Sequence, residues 1–155
     1  MKIKCITMLI LGSLLFITHP ISAQEKDPWD ETQLMEPESL AEILNDSEEK
    51  NDPLILAVNP DGMYGLPYEG GIKNSIWFGP AGKEENLAAL KKFLEQPDKD
   101  AEIVIYCGCC PTEMCPNIRP AFELLNELGF ENHKLLNIPT NIEKDWMEKG
   151  FPMKK

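Results

Sequence analysis

Two short apolar runs constrain the fold of this chain most strongly. A strand with one solvent-exposed face alternates between apolar and polar residues. No such alternation occurs in "PLILAV" (53–58) or "EIVIYC" (102–107). Such runs are typical of strands buried on both faces, in parallel sheets that helices cover. "NSIWFG" (74–79) and "HKLLNI" (133–138) are weaker candidates for strands of the same kind.

Segments with helical periodicity lie around these runs, at 35–44, 85–97, 119–130 and 141–151. The first is predicted to begin near Pro37, with Glu36 or a neighbour as its cap, and the last two are predicted to end at Gly129 and Gly150. Strands that alternate with helices predict an α/β fold over 34–155 as a single domain. Its central, mostly parallel sheet should be flanked by helices on both faces.

The N-terminus has the features of a secretory signal peptide. Lys2 and Lys4 precede an apolar stretch from 6 to 17, and the small pair Ser22-Ala23 follows it. We expect cleavage after Ala23, which removes 1–23 and makes the protein periplasmic or secreted. The stretch is short for a membrane span, although an uncleaved anchor is the alternative. The polar residues 24–33 are predicted to form a flexible arm.

The overall charge excludes some partners. The chain carries a formal net charge of −11, and such a surface repels nucleic acid and anionic membranes. We therefore expect no nucleic-acid partner and no membrane contact after signal cleavage. The oligomeric state is not predicted.

Four of the five cysteines lie in "CGCCPTEMC", which begins at Cys107. Clustered cysteines do not staple distant segments as a disulfide framework does. The spacing is neither the paired C-x2-C of structural zinc nor a typical iron–sulfur pattern. Three interpretations of Cys109, Cys110 and Cys115 stay open. They form a local disulfide (Cys109–Cys115 or Cys110–Cys115), one of them resolves Cys107, or all four bind a soft metal.

Cys107 has the position of a reactive thiol. It ends a buried run, and ligands of parallel sheets bind beyond the carboxyl ends of the strands. The following loop leads to a helix that starts near 117–120, whose free amides and dipole should stabilise a thiolate on Cys107 and hold anions. Arg119, at that helix start, is a candidate for binding an anionic substrate.

The ordered series of segments from about 34 to 152 resembles the rhodanese domain, a sulfurtransferase module. "MEPESLAEIL" resembles the first helix of the family, "PLILAV" its central strand, and "IVIYC" with the loop and "AFELLNELGF" its strand, cysteine loop and helix. "NIEKDWMEKGFP" is similar to its closing segment. The resemblance implies that Cys107 carries sulfur as a persulfide, taken from a small-molecule donor such as thiosulfate and passed to a thiol acceptor. It implies no cofactor and no metal.

The cysteine loop departs from the family pattern. A typical rhodanese loop has the cysteine, four residues and then an arginine, whereas Arg119 follows Cys107 by twelve residues. Alignment on the helix places Asn117 where that arginine would fall, so we expect Gly108, Asn117 and Arg119 to contact the substrate. A thiol–disulfide redox protein and a copper or zinc carrier are the alternative functions.

Overall fold

A computed structural model describes residues 26–46, 52–63 and 71–154. The described strands and helices are β1 (Leu34–Met35), α1 (Pro37–Asp46), β2 (Leu54–Ala57), β3 (Ile76–Trp77), α2 (Glu84–Phe93), β4 (Ile103–Tyr106), α3 (Ile118–Glu127) and β5 (His133–Leu136). Single helical turns cover Glu31–Gln33, Thr112–Met114 and Glu143–Met147, the last of them π-helical. The predicted signal peptide 1–23 lies outside the described residues. None of the helices in the described ranges is long and apolar enough to span a membrane.

The five strands form one parallel sheet in the order β1-β5-β4-β2-β3. Every residue of the central strand β4 is buried, as its apolar run predicts. The structure thus confirms the predicted α/β fold with a parallel sheet. The resemblance placed "PLILAV" at the centre, but this run forms β2, which lies beside the centre. The two-residue edge strand β1 was not predicted, because two residues show no periodicity.

Helices cover both faces of the sheet, as predicted. Successive strand side chains point to opposite faces, which divides the core into two clusters. Leu56, Ile103 and Ile105 pack with buried residues of α2 and α3, such as Leu90 and Phe122. On the other face, the strand residues Ile55, Ala57, Val104 and Tyr106 pack with α1 and with Trp146 of the π-helical turn.

The helix ends follow the sequence signals. α1 begins at Pro37, as predicted, where the missing amide hydrogen costs no hydrogen bond. α3 ends at Glu127, and Gly129 two residues later has a φ of +74°. This left-handed conformation is the usual C′ geometry and suits glycine.

The described part of the segment 24–33 packs against the rest of the domain. Trp29 is buried, and its ring meets Phe122 of α3 edge-on at a centroid distance of 5.6 Å. Asp30 caps the turn Glu31–Gln33 and accepts a hydrogen bond from the Thr32 amide at 2.8 Å. Residues 26–33 therefore pack against α3 through Trp29, whereas the flexibility of this arm in solution stays a prediction.

Candidate functional site

Cys107 lies at the carboxyl end of the central strand. The amide of Val58 donates to the Tyr106 carbonyl at 2.9 Å, so the pairing between β2 and β4 continues up to Cys107. The Tyr106 hydroxyl, buried below, accepts from the Gly71 and Ile72 amides at 3.2 and 3.3 Å. Cys107 is itself 3 % exposed. Its backbone is thus held by the sheet, as the sequence predicts.

Gly108 turns the chain away from the sheet. Its φ is +74°, and a Cβ built on it would lie 2.7 Å from Cβ of Ile142. The Gly108 carbonyl accepts a hydrogen bond from the Ile142 amide at 2.9 Å. This close backbone approach requires glycine and joins the cysteine loop to the segment after β5.

Thr112 anchors the middle of the loop. Its amide donates to the Ile138 carbonyl at 2.9 Å, and its hydroxyl oxygen accepts from the Ile138 amide at 2.9 Å. The Cys115 amide then donates to the Thr112 carbonyl at 3.2 Å. The loop therefore folds back over the end of β4 and brings Cys115 next to Cys107.

The four cysteine side chains form one sulfur cluster, and none of the four takes part in a disulfide bond. Sγ of Cys109 lies at the centre of the cluster. It is 3.3 Å from Sγ of Cys107, 3.2 Å from Sγ of Cys110 and 3.6 Å from Sγ of Cys115. Cys107 and Cys115 are buried, whereas Cys109 and Cys110 are partly exposed. The disulfides Cys109–Cys115 and Cys110–Cys115 stay predictions.

Asn117 links the cluster to a neighbouring loop. Its Oδ1 accepts from the Gly82 amide at 3.1 Å, which leaves Nδ2 to donate to Sγ of Cys107 at 3.7 Å. Asn117 precedes α3 but makes no side-chain capping bond to the helix. The Asn117 side chain is thus oriented toward Cys107. The sequence predicts that Asn117 contacts the substrate.

Of the four cysteines, Cys115 has the surroundings that most favour a thiolate. Hydrogen bonds from the thiols of Cys107 and Cys109, and then from the backbone amides of Asn117 and Ile118, outweigh burial and lower the pKa of Cys115 to about 3. These amides belong to the start of α3, where unpaired donors and the helix dipole favour an anion.

The pKa values of the other three thiols are raised. Although the hydrogen bond with Cys109 lowers it, the pKa of Cys107 is raised to about 12 by the neighbouring Cys115 and by burial. The hydrogen bonds with Cys107 and Cys115 raise the pKa of Cys109, and burial raises that of Cys110. These surroundings do not favour the thiolate expected on Cys107, because the long loop brings Cys115 to the amides at the start of α3.

Arg119 is engaged by the N-terminal segment. Its Nη2 donates to the Glu113 carbonyl at 3.0 Å and pairs with the carboxylate of Asp27. The guanidinium carbon lies 5.3 Å from the ring centroid of Trp29. A carboxylate therefore already compensates this charge, which does not favour the predicted role of Arg119 in binding an anionic substrate.

Asn59 is a candidate site residue that the sequence did not predict. It follows β2, the neighbour of β4, so it lies at the same edge of the sheet as Cys107. The side chain is almost fully buried, and Oδ1 has no hydrogen-bond partner within the described part of the chain. Nδ2 donates to the Pro60 carbonyl at 3.0 Å. The available signal was an amide residue directly after a buried apolar run.

Comparison with known proteins supports the fold. No family model matches the chain, and no curated protein matches it. Among solved structures, it is similar to an EanB cysteine-to-serine variant in complex with hercynine, with a TM-score of 0.51 and 22 % sequence identity. The match covers 79 % of this chain and 27 % of that chain. At this identity the likeness concerns the fold alone.

Proposed function

We propose that the protein is a sulfurtransferase that carries sulfane sulfur as a persulfide on Cys107. The observation that carries the proposal is the position of Cys107, at the carboxyl end of the central strand and beside the donor group of Asn117. Because Cys107 directly follows β4, the sheet holds its backbone in place, as covalent catalysis requires of a nucleophile. The resemblance to the rhodanese domain supports the same assignment.

The reaction balances with the chemistry of a thiol and a sulfane donor. Sγ of Cys107 releases its proton to solvent and attacks the outer sulfur of thiosulfate or of a persulfide. A new sulfur–sulfur bond forms as the donor's own bond breaks, and the leaving group, sulfite or a thiolate, departs with the electron pair. An acceptor thiolate then attacks the outer sulfur and releases Cys107 as a thiolate.

Asn117 and Gly108 support the persulfide in this proposal. Nδ2 of Asn117 donates a hydrogen bond to Sγ of Cys107 from outside the sulfur cluster. Gly108 gives the backbone the turn that brings the loop over the sulfur. Both residues were predicted to contact substrate, and both would hold the outer sulfur here by position and hydrogen bonding.

Mass spectrometry after a single reaction tests the proposal. Reduced protein treated with thiosulfate should gain the mass of one sulfur atom, and the peptide that contains Cys107 should carry it. Cys107→Ser should abolish the adduct, whereas the matched variant Cys110→Ser should retain it. Persulfide on Cys107→Ser at the wild-type level would exclude Cys107 as the sulfur carrier.

Thiol–disulfide exchange is a second candidate, which the central position of Cys109 favours. Its Sγ lies 3.3 Å from that of Cys107, so it could resolve a mixed disulfide on Cys107. Equilibration with a dithiol redox buffer should then yield one internal disulfide, mapped by peptide mass, that Cys109→Ser cannot form. A protein that stays fully reduced across the range of buffer potentials would contradict this function.

A further inference from the structure

We propose that Cys107, Cys109 and Cys115 form a three-sulfur binding site for Cu(I). The three Sγ atoms all lie within 4.8 Å of one another. In a trigonal site with metal–sulfur bonds of about 2.3 Å, the sulfurs are about 4 Å apart. The distances of 3.3 and 3.6 Å from Cys109 to Cys107 and Cys115 require only a small expansion. The site is thus close to its metal-binding geometry.

The number of ligands selects the metal. Among the described residues, the group of mutually close donors holds three cysteines and no histidine, aspartate or glutamate. Cys110 touches Cys109 at 3.2 Å but is not part of this group. Structural zinc takes four protein ligands in a tetrahedron, whereas Cu(I) is soft, prefers thiolates and accepts three. Three buried or half-buried sulfurs therefore favour Cu(I).

Groups around the sulfurs suit a bound cation with anionic ligands. Nδ2 of Asn117 donates to Cys107, and the backbone amides of Asn117 and Ile118 donate to Cys115. Such outer hydrogen bonds orient ligands and balance the excess negative charge of several thiolates around one monovalent ion. Each thiol that binds the metal releases its proton to solvent.

The exposure of the cluster gives the metal a route of entry. Cys107 and Cys115 are buried, but Cys109 and Cys110 are partly exposed. An incoming ion can therefore reach the three-sulfur site from solvent through Cys109, which belongs to it. Because Cys107 takes part in both, a bound metal and a persulfide exclude each other, although the metal site does not depend on sulfur transfer.

Titration of the reduced full chain with Cu(I), against a chromophoric Cu(I) chelator under anaerobic conditions, tests the site. We expect one Cu(I) per chain and three sulfur neighbours by X-ray absorption. Each of Cys107→Ser, Cys109→Ser and Cys115→Ser should weaken Cu(I) binding by more than about 100-fold, because changes to groups outside the ligand set alone cost about 10- to 100-fold. The matched variant Cys110→Ser should change the affinity far less.

Alkylation of the wild-type protein provides a test that needs no variant to fold. Bound Cu(I) should protect Cys107, Cys109 and Cys115 and leave Cys110 reactive in peptide maps. Protection of all four cysteines with four sulfur neighbours would overturn the three-sulfur site. Failure to compete with the chelator would overturn Cu(I) binding itself, and neither result depends on persulfide formation in the metal-free protein.

Discussion

Replacement of Gly108 by alanine should destabilise the domain through two separable effects. The left-handed backbone at φ +74° costs a residue with a Cβ about 1–2 kcal/mol. The new Cβ would also lie 2.7 Å from Cβ of Ile142, and relief of such overlap in a packed region costs about 1–3 kcal/mol more. We expect a total loss of about 2–5 kcal/mol in the free energy of unfolding.

Gly129→Ala is the matched control. Gly129 has the same φ of +74°, but a Cβ there meets nothing within 4 Å. It should therefore show only the backbone cost of about 1–2 kcal/mol. Ile142→Ala would not relieve the overlap at Gly108, because the atom in contact is the Cβ that alanine keeps.

Urea unfolding followed by tryptophan fluorescence measures both variants on one scale. The difference between Gly108→Ala and Gly129→Ala isolates the contact with Ile142. Equal stability of the two variants would refute the reasoning, since it would mean that Ile142 moves aside at no cost. Faster alkylation of the cysteines in Gly108→Ala would indicate that the contact between Gly108 and Ile142 also holds the sulfur cluster in place.

Three further predictions concern the loop, a buried histidine and the charge of the cluster. Thr112→Val leaves the Ile138 amide without its hydroxyl acceptor, so the free energy of unfolding measured in urea should fall by about 1–3 kcal/mol. The control Thr140→Val, at an exposed residue, should change it little. Burial lowers the pKa of His133 below 6.5, so its stabilising contribution is complete above pH 6.5 and is lost as the pH falls through the folded-state pKa. His133→Gln should therefore weaken the decline of stability with acid, and an unchanged decline would contradict this origin. Because the pKa of Cys115 is lowered to about 3, reduced metal-free protein at pH 6 should show the ultraviolet absorbance of one thiolate, which Cys115→Ser removes and Cys110→Ser retains.

The position of Cys107 was predictable because it depends on local pattern. An apolar run without alternation predicts a buried parallel strand, and its last residue must lie at the carboxyl edge of the sheet. The same reasoning predicted helices on both faces and the end of α3 before Gly129. Asn117 could be placed near the cluster only through the resemblance to the rhodanese domain, by alignment on the helix.

Features that depend on contacts between distant segments could not be predicted. Arg119 is a cation at a helix start in the sequence, but the packed segment around Trp29 brings Asp27 to it. The strand β1 exists only through its pairing with β5. Asn59 became a candidate site residue only when the neighbouring strands were placed side by side.

The sequence alone establishes that four cysteines share one loop after a buried strand, because residue order and hydrophobic pattern are local properties. Only the tertiary structure decides which sulfur has surroundings that favour a thiolate, and which three sulfurs lie within 4.8 Å of one another. Hydrogen bonds join Thr112 to Ile138 and Gly108 to Ile142, which are distant in the sequence. The loop therefore folds back, and Cys115 accepts hydrogen bonds from the amides at the start of α3. A thiol's pKa depends on burial and on neighbours within a few ångströms, and spacing along the eleven residues between β4 and α3 does not specify either of them.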